Sequence, residues 1–292
     1  MEQFEKNNIV AAPNIAVSLV GTNPPFPKPY RELTLGDDFL FGHIMRQREP
    51  CRDMLRLLLN QPHLDIDEPT AQRVIRAGPS EKWVRLDVQA SNKTQMFDVE
   101  MQHSPGIDLP LRSRYYQSIM DVEALQSGQL YRKLKTNWVI FLCKTDLFGK
   151  GLPRYTFQNR CNERPSCILG DKTIKIFYNC SEYAKIKDTD VSSFLEYLYS
   201  GHAATSFTQS LDQLVTKARE RPDWEKGYMD YYQGSLLLKE EGMELGMRQA
   251  KMEGARNLLR EHVGTPEQIA HWLNLTEAQI AQLAREIQQE RP

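Results

Sequence analysis

Asp87 in one short segment, and Asp98, Glu100 and Gln102 in the next, have the types and spacing for metal-assisted hydrolysis. Cleaving a phosphodiester requires three things. A water must lose a proton near neutral pH, the five-coordinate phosphate must be neutralised, and the leaving oxygen must be stabilised. A Mg²⁺ ion held by carboxylates serves all three. Mg²⁺ prefers hard oxygen ligands and keeps several waters, so one or two protein carboxylates suffice. Asp87 and Glu100 are the expected ligands, and the backbone carbonyl of Met101 can add another. Gln102 lies two residues past Glu100 and shares its face, where it can orient the attacking water or contact the phosphate.

The elements that must position these groups follow from a period of two. Over Trp83–Ala90, Val84, Leu86, Val88 and Ala90 form one face, and Arg85, Asp87 and Gln89 the other. Ser91-Asn92-Lys93-Thr94 is a polar hairpin turn. Gln95–Gln102 then alternates again, with Phe97, Val99 and Met101 against Asp98, Glu100 and Gln102. Spacing alone leaves a competing reading open, because acidic residues on the wet face of an antiparallel hairpin are ordinary. Asp98 also lies on the acidic face, so a ligand role falls to Glu100 or to Asp98; Asp98 itself is expected as an exposed strand residue.

Around the hairpin, helical spacing predicts a first helix after Thr34-Leu35-Gly36-Asp37-Asp38 and a second from Pro50 to Asn60. A long helix is expected from Leu111 to Leu134, a buried strand over Asn137–Cys143, strands at Arg154–Asn159 and Thr173–Asn179, and a helix from Val191 to Ser200 ended by Gly201. That order is a mixed α/β core. Arg112 and Arg114 open the long helix and can bind the phosphates of a cleaved strand; a salt-bridged, half-exposed helix is the alternative. Arg112 and Tyr116 are four apart and share a face. Asp38 can approach a metal from the first helix, or Asp37 or Asp38 can cap that helix. The six histidines form no ligand pattern, and His103 is expected at the surface.

Composition narrows the classes. The chain has 292 residues with 37 Lys+Arg against 38 Asp+Glu, so no basic surface overall favours nucleic acid; Arg112, Arg114, Arg132, Lys133, Lys135 and Lys144 form a local basic stretch instead. The five cysteines have no C-x-x-C spacing, which speaks against a zinc knuckle or disulfide framework and for reduced thiols in a cytoplasmic protein. No membrane span, secretory signal or nucleotide-binding glycine loop is expected.

The ordered series Asp37-Asp38-Phe39-Leu40-Phe41, Arg85-Leu86-Asp87-Val88, Phe97-Asp98-Val99-Glu100-Met101-Gln102, Arg112-Ser113-Arg114-Tyr115-Tyr116, Val139–Leu142 and Phe194-Leu195-Glu196-Tyr197-Leu198 resembles the Rpn recombination-promoting nucleases, also described as PD-(D/E)XK nuclease family transposases. The resemblance covers roughly residues 33–202. It implies a restriction-endonuclease-like mixed sheet flanked by helices and a Mg²⁺-dependent DNA endonuclease (Mn²⁺ as a substitute) used in recombination or transposition. Asp87 and Glu100 would be metal ligands. Gln102 would replace the lysine of the general pattern, and an amide cannot act as a general base. A non-catalytic DNA- or protein-binding module keeping this fold is the alternative.

The expected organisation is an irregular arm over 1–30, the nuclease domain over 31–205 and a helical region over 206–292. In the last, Lys226–His262 is charged, Met-rich and interrupted by glycine, a helix only if packing or a second chain supports it. Thr265-Pro266-Glu267-Gln268 and Thr276-Glu277-Ala278-Gln279 then start two short helices. Their proportions are those of a helix-turn-helix, but Glu277 and Glu286 suit a base-reading helix poorly. Association of copies through these C-terminal helices is expected instead.

Overall fold

The computed structural model describes residues 28–75, 84–104, 106–125 and 127–289. Most of the expected irregular arm, and Trp83 at the head of the first hairpin strand, lie outside the described residues.

The hairpin forms where the alternation places it. β2 (Val84–Ser91) and β3 (Gln95–Gln102) are antiparallel, and Asn92 closes their turn by accepting hydrogen bonds from the Thr94 and Gln95 amides at 2.9 and 2.8 Å. β1 (Thr70–Ile75) adds an outer antiparallel strand that the sequence reading did not contain. On the other side β3 runs parallel to β4 (Thr136–Cys143), which runs parallel to β6 (Thr173–Asn179), and β5 (Arg154–Phe157) closes the edge antiparallel to β6. The six-stranded order is β1-β2-β3-β4-β6-β5. β3 is therefore an interior strand, not half of a hairpin with one wet face.

Helices cover both faces. On one side α1 (Asp38–Met45), α2 (Arg48–Leu59), α4 (Thr189–Ser200) and α5 (Ser206–Arg219) bury Val88, Ala90, Phe97, Val99, Met101, Ile140 and Leu142. Apart from Ala90, each such side chain stabilises the fold by roughly 1.5–3 kcal/mol. On the other side α3 (Leu109–Ala124) sets Leu109, Tyr116, Ile119 and Met120 against Val139, Phe141 and Phe177. α3 is shorter than the expected Leu111–Leu134. The chain turns at Gly128, whose φ of 83° suits glycine, and re-enters the sheet through a 3-10 turn at Tyr131–Lys133.

The core continues past the expected boundary at residue 205. Leu211, Val215 and Ala218 of α5, and Tyr228 of α6 (Pro222–Arg260), join the same cluster as the sheet. α6 is one helix of 39 residues, about 58 Å long at 1.5 Å per residue. Its start packs on α1 through Tyr228 and Tyr231 against Phe39. Its far end is held by α7 (Pro266–Leu273) and α8 (Glu277–Gln289), which bury Ile269, Ile280, Leu283 and Ile287 against Ala255. Both helix starts expected from the sequence form: Thr265 and Gln268, and Thr276 and Gln279, cap each other reciprocally.

Candidate active site

The β2–β3 ladder runs from Ser91↔Met96 to Val88↔Val99 and stops there. Extending that register sets Asp87 against Glu100, but side chains replace the ladder. The Asp87 amide donates to Glu100 Oε1 at 2.8 Å, and the Met101 amide donates to Asp87 Oδ2 at 3.0 Å. Each carboxylate thus binds the backbone of the other strand and locks the two acids side by side. The interruption also shows in packing. Leu86 joins the cluster on the α3 side, whereas Val88 and Ala90 join the opposite one. Strict alternation would have kept all three together, so the one-face expectation for β2 fails at Asp87.

Glu100 is 1 % exposed, and its second oxygen faces polar groups. Gln102 Nε2 lies 3.5 Å from Glu100 Oε2, and Arg112 Nη2 lies 4.0 Å from that oxygen. Arg112 also donates to Gln102 Oε1 at 3.4 Å. The Tyr116 hydroxyl fixes the guanidinium by accepting from Nε and Nη2 at 3.2 and 2.8 Å. Because one helical turn separates Arg112 and Tyr116, the arginine lies back over the ring, 5.4 Å from its centroid. Burial, then the Glu100 charge, pushes the Tyr116 hydroxyl up to about 12, so it stays protonated.

Asp98 requires a correction. It is fully buried, not an exposed strand residue. The physical reason is the parallel pairing of β3 with β4, which sets Asp98 beside Val139 under α3. Neither carboxylate oxygen of Asp98 meets an N–H or O–H donor of another residue type; its neighbour is the Glu100 carboxyl, close enough for the two acids to share a proton. Burial, then the Asp87 charge, raises the Asp98 pKa well above the carboxylate range. Burial, then the Asp98 charge, does the same to Glu100, against the opposing Asp87 amide and Arg112.

The other expected site residues lie apart. Arg114 is two positions from Arg112, about 200° around α3, and is exposed. Asp38 is exposed; its carboxylate accepts from the Phe39 amide at 2.8 Å and from the Tyr231 hydroxyl of α6. Asp37 instead binds Thr34 and Lys28. Asp38 and Gln102 nevertheless share one cleft of about 630 Å³ at the C-terminal end of β3, with His103, Tyr228 and Tyr232 also in its walls. His103 is at the surface, as expected. Met101 pairs with Leu142 on the β4 side.

Among the described residues, no group of three or more His, Cys, Asp or Glu side chains is placed to hold a metal ion. The donor chemistry of Asp87 and Glu100 nevertheless suits a hard divalent cation: both supply carboxylate oxygens from adjacent strands, and Mg²⁺ takes only one or two protein carboxylates beside its waters. Sequence reasoning grouped Asp87, Glu100 and Gln102 and set Arg112 with Arg114 as phosphate contacts; the structure brings Arg112 to Gln102 and Glu100 and leaves Arg114 apart. That reasoning missed that Tyr116 holds Arg112, although their spacing of four was visible, and that Asp98 is enclosed, which depends on the neighbour β3 acquires across the sheet.

The family described as PD-(D/E)XK nuclease family transposase matches residues 40–203, from α1 to just past α4. No curated protein and no solved structure matches the chain.

Proposed function

Because the chain belongs to the PD-(D/E)XK nuclease family transposases, we propose that it is a DNA endonuclease dependent on a divalent cation, Mg²⁺ or in its place Mn²⁺, acting in recombination or transposition in the cytoplasm. The observation that carries this proposal is the reciprocal lock of Asp87 and Glu100 at the point where the β2–β3 ladder opens, with Gln102 and Arg112 beside it.

Asp87, Glu100 and the Met101 carbonyl are the proposed ligands. A divalent cation there supplies positive charge to the phosphate and acidifies a water. Arg112 presents a fixed guanidinium to a phosphate oxygen, and Tyr116 aims it. Gln102 orients the water or the phosphate through its amide and takes no proton. Arg114, exposed on α3, contacts the DNA backbone farther along the strand. Asp38 is left out of the ligand set because its carboxylate is engaged by Tyr231 and the Phe39 amide. Copies of the chain associate through the C-terminal helices; support comes from α6, which exposes Leu237, Met243, Leu245 and Met247 along its middle.

The test is nicking of supercoiled plasmid by purified protein with Mg²⁺, Mn²⁺ or EDTA. Wild type is expected to nick with either cation and not in EDTA, and Asp87→Ala and Glu100→Ala to remain folded and inactive. A wild type that cuts nothing with either cation overturns the proposal in favour of a non-catalytic binding module.

A further inference from the structure

Between β5 and β6 the chain extends into a second, smaller hairpin. Arg160 and Ile168 form an antiparallel bridge. The Leu169 amide donates to the Asn159 carbonyl at 2.9 Å, and the Cys161 amide to the Cys167 carbonyl at 3.0 Å. One step along that register toward the tip, Cys161 stands opposite Cys167. Opposed residues of antiparallel segments project to the same face. At a hydrogen-bonded position their Cα atoms are about 5.5 Å apart. A disulfide spans Cα separations of roughly 4.4–6.8 Å. Both thiols are free; Cys167 is exposed and Cys161 half-buried, whereas Cys51, Cys143 and Cys180 are buried. The Cys161 thiol donates to Glu163 Oε2 at 3.0 Å. Free cysteine is among the most buried residue types, so packing does not account for two of them opposed on one accessible hairpin.

We propose that Cys161 and Cys167 are a reversible dithiol–disulfide pair, a modification site for small-molecule disulfides. It lies on the β6–β5 edge of the sheet, apart from the β2–β3 site. Cys167, the more exposed thiol, reacts first as its thiolate. Its sulfur bonds to one sulfur of the small disulfide, whose S–S bond breaks and releases a thiolate that takes a proton from water. Cys161 then attacks Cys167 Sγ, the mixed disulfide breaks, and the second small thiolate leaves. The Cys161 proton passes to water by way of Glu163, the acceptor it already faces. Two cysteine thiols are oxidised and one small-molecule disulfide is reduced to two thiols. A reducing dithiol reverses the exchange. In a reducing compartment such a pair is a sensor of oxidant rather than a permanent staple. Closure pins the register of the segments that lead out of β5 and into β6.

The experiment treats the full chain, as wild type, Cys161→Ser and Cys167→Ser, with oxidised glutathione. The exchange is quenched with acid and read by intact mass and peptide mapping. Wild type is expected to lose two hydrogens, keep no glutathione, and yield one peptide pair linked through Cys161 and Cys167. Dithiothreitol should restore the starting mass. Each serine variant should instead retain one glutathione on the cysteine that remains, because the second step has lost its thiol. Amide exchange in oxidised wild type should slow across residues 159–169. Wild type that holds glutathione on Cys161 or Cys167 without forming the internal link overturns the proposal. So does a link from either of them to a second copy of the chain, or to Cys51, Cys143 or Cys180.

Discussion

Replacing Arg112 with methionine isolates the charge that balances the buried acids. The guanidinium has two hydrogen bonds to the Tyr116 hydroxyl, one of 3.4 Å to Gln102, and a 4.0 Å approach to Glu100 Oε2. At 4.0 Å and an effective dielectric of about 20, the Coulomb attraction to the ionised form of Glu100 is about 4 kcal/mol. The arginine side chain is 32 % exposed, so solvent screening reduces that to about 2 kcal/mol. The methionine keeps most of the aliphatic packing, which leaves about 2–3 kcal/mol of destabilisation, hydrogen bonds included. The assay is urea unfolding in EDTA, run also in a Glu100→Gln background. Without the Glu100 charge the cost of Arg112→Met should fall by about 1–2 kcal/mol, a coupling only neighbours show. A coupling within about 0.3 kcal/mol of zero would refute the claim that Arg112 compensates Glu100.

Gly36→Ala should destabilise by more than about 2 kcal/mol, because its Cβ would come within 2.2 Å of the Leu198 backbone carbonyl; thermal unfolding checks this. Thr265→Ala removes a reciprocal cap and should cost about 1 kcal/mol, seen as faster amide exchange confined to α7. Asp37 is pulled below the carboxylate range: burial alone would raise it, and the hydrogen bonds from Lys28 and Thr34 outweigh that. Its folded pKa is the lower one, so its contribution is present above the unfolded pKa near 3.8 and is lost as pH falls through the folded value. Asp37→Asn should therefore be less stable than wild type at pH 6, with the gap closing toward pH 3, measured by urea midpoints across that range.

The sequence carried the hairpin because its period of two is uninterrupted from Gln95 to Gln102 and its turn is polar, and the two strands form at nearly the expected limits. The helix pair at the C-terminus was equally plain, since capping is local chemistry. What escaped was set by distant partners. Asp98 reads as a wet-face residue until β4 pairs beside β3, 41 residues on in the register Asp98↔Val139. The side of β2 on which Leu86 packs depends on where the ladder ends, and that is decided by the Asp87 and Glu100 side chains. Five glycines in Pro222–Arg260 weaken a helix that forms nonetheless, because its two ends are anchored by α1 and by α7 with α8.

Anomalous diffraction from crystals soaked in Mn²⁺ tests the ligand set at its source. The account predicts a single strong peak between the carboxylates of Asp87 and Glu100, with oxygen distances of about 2.1 Å as for a small hard cation. Density at other carboxylates, with none in that layer of the sheet, would contradict it.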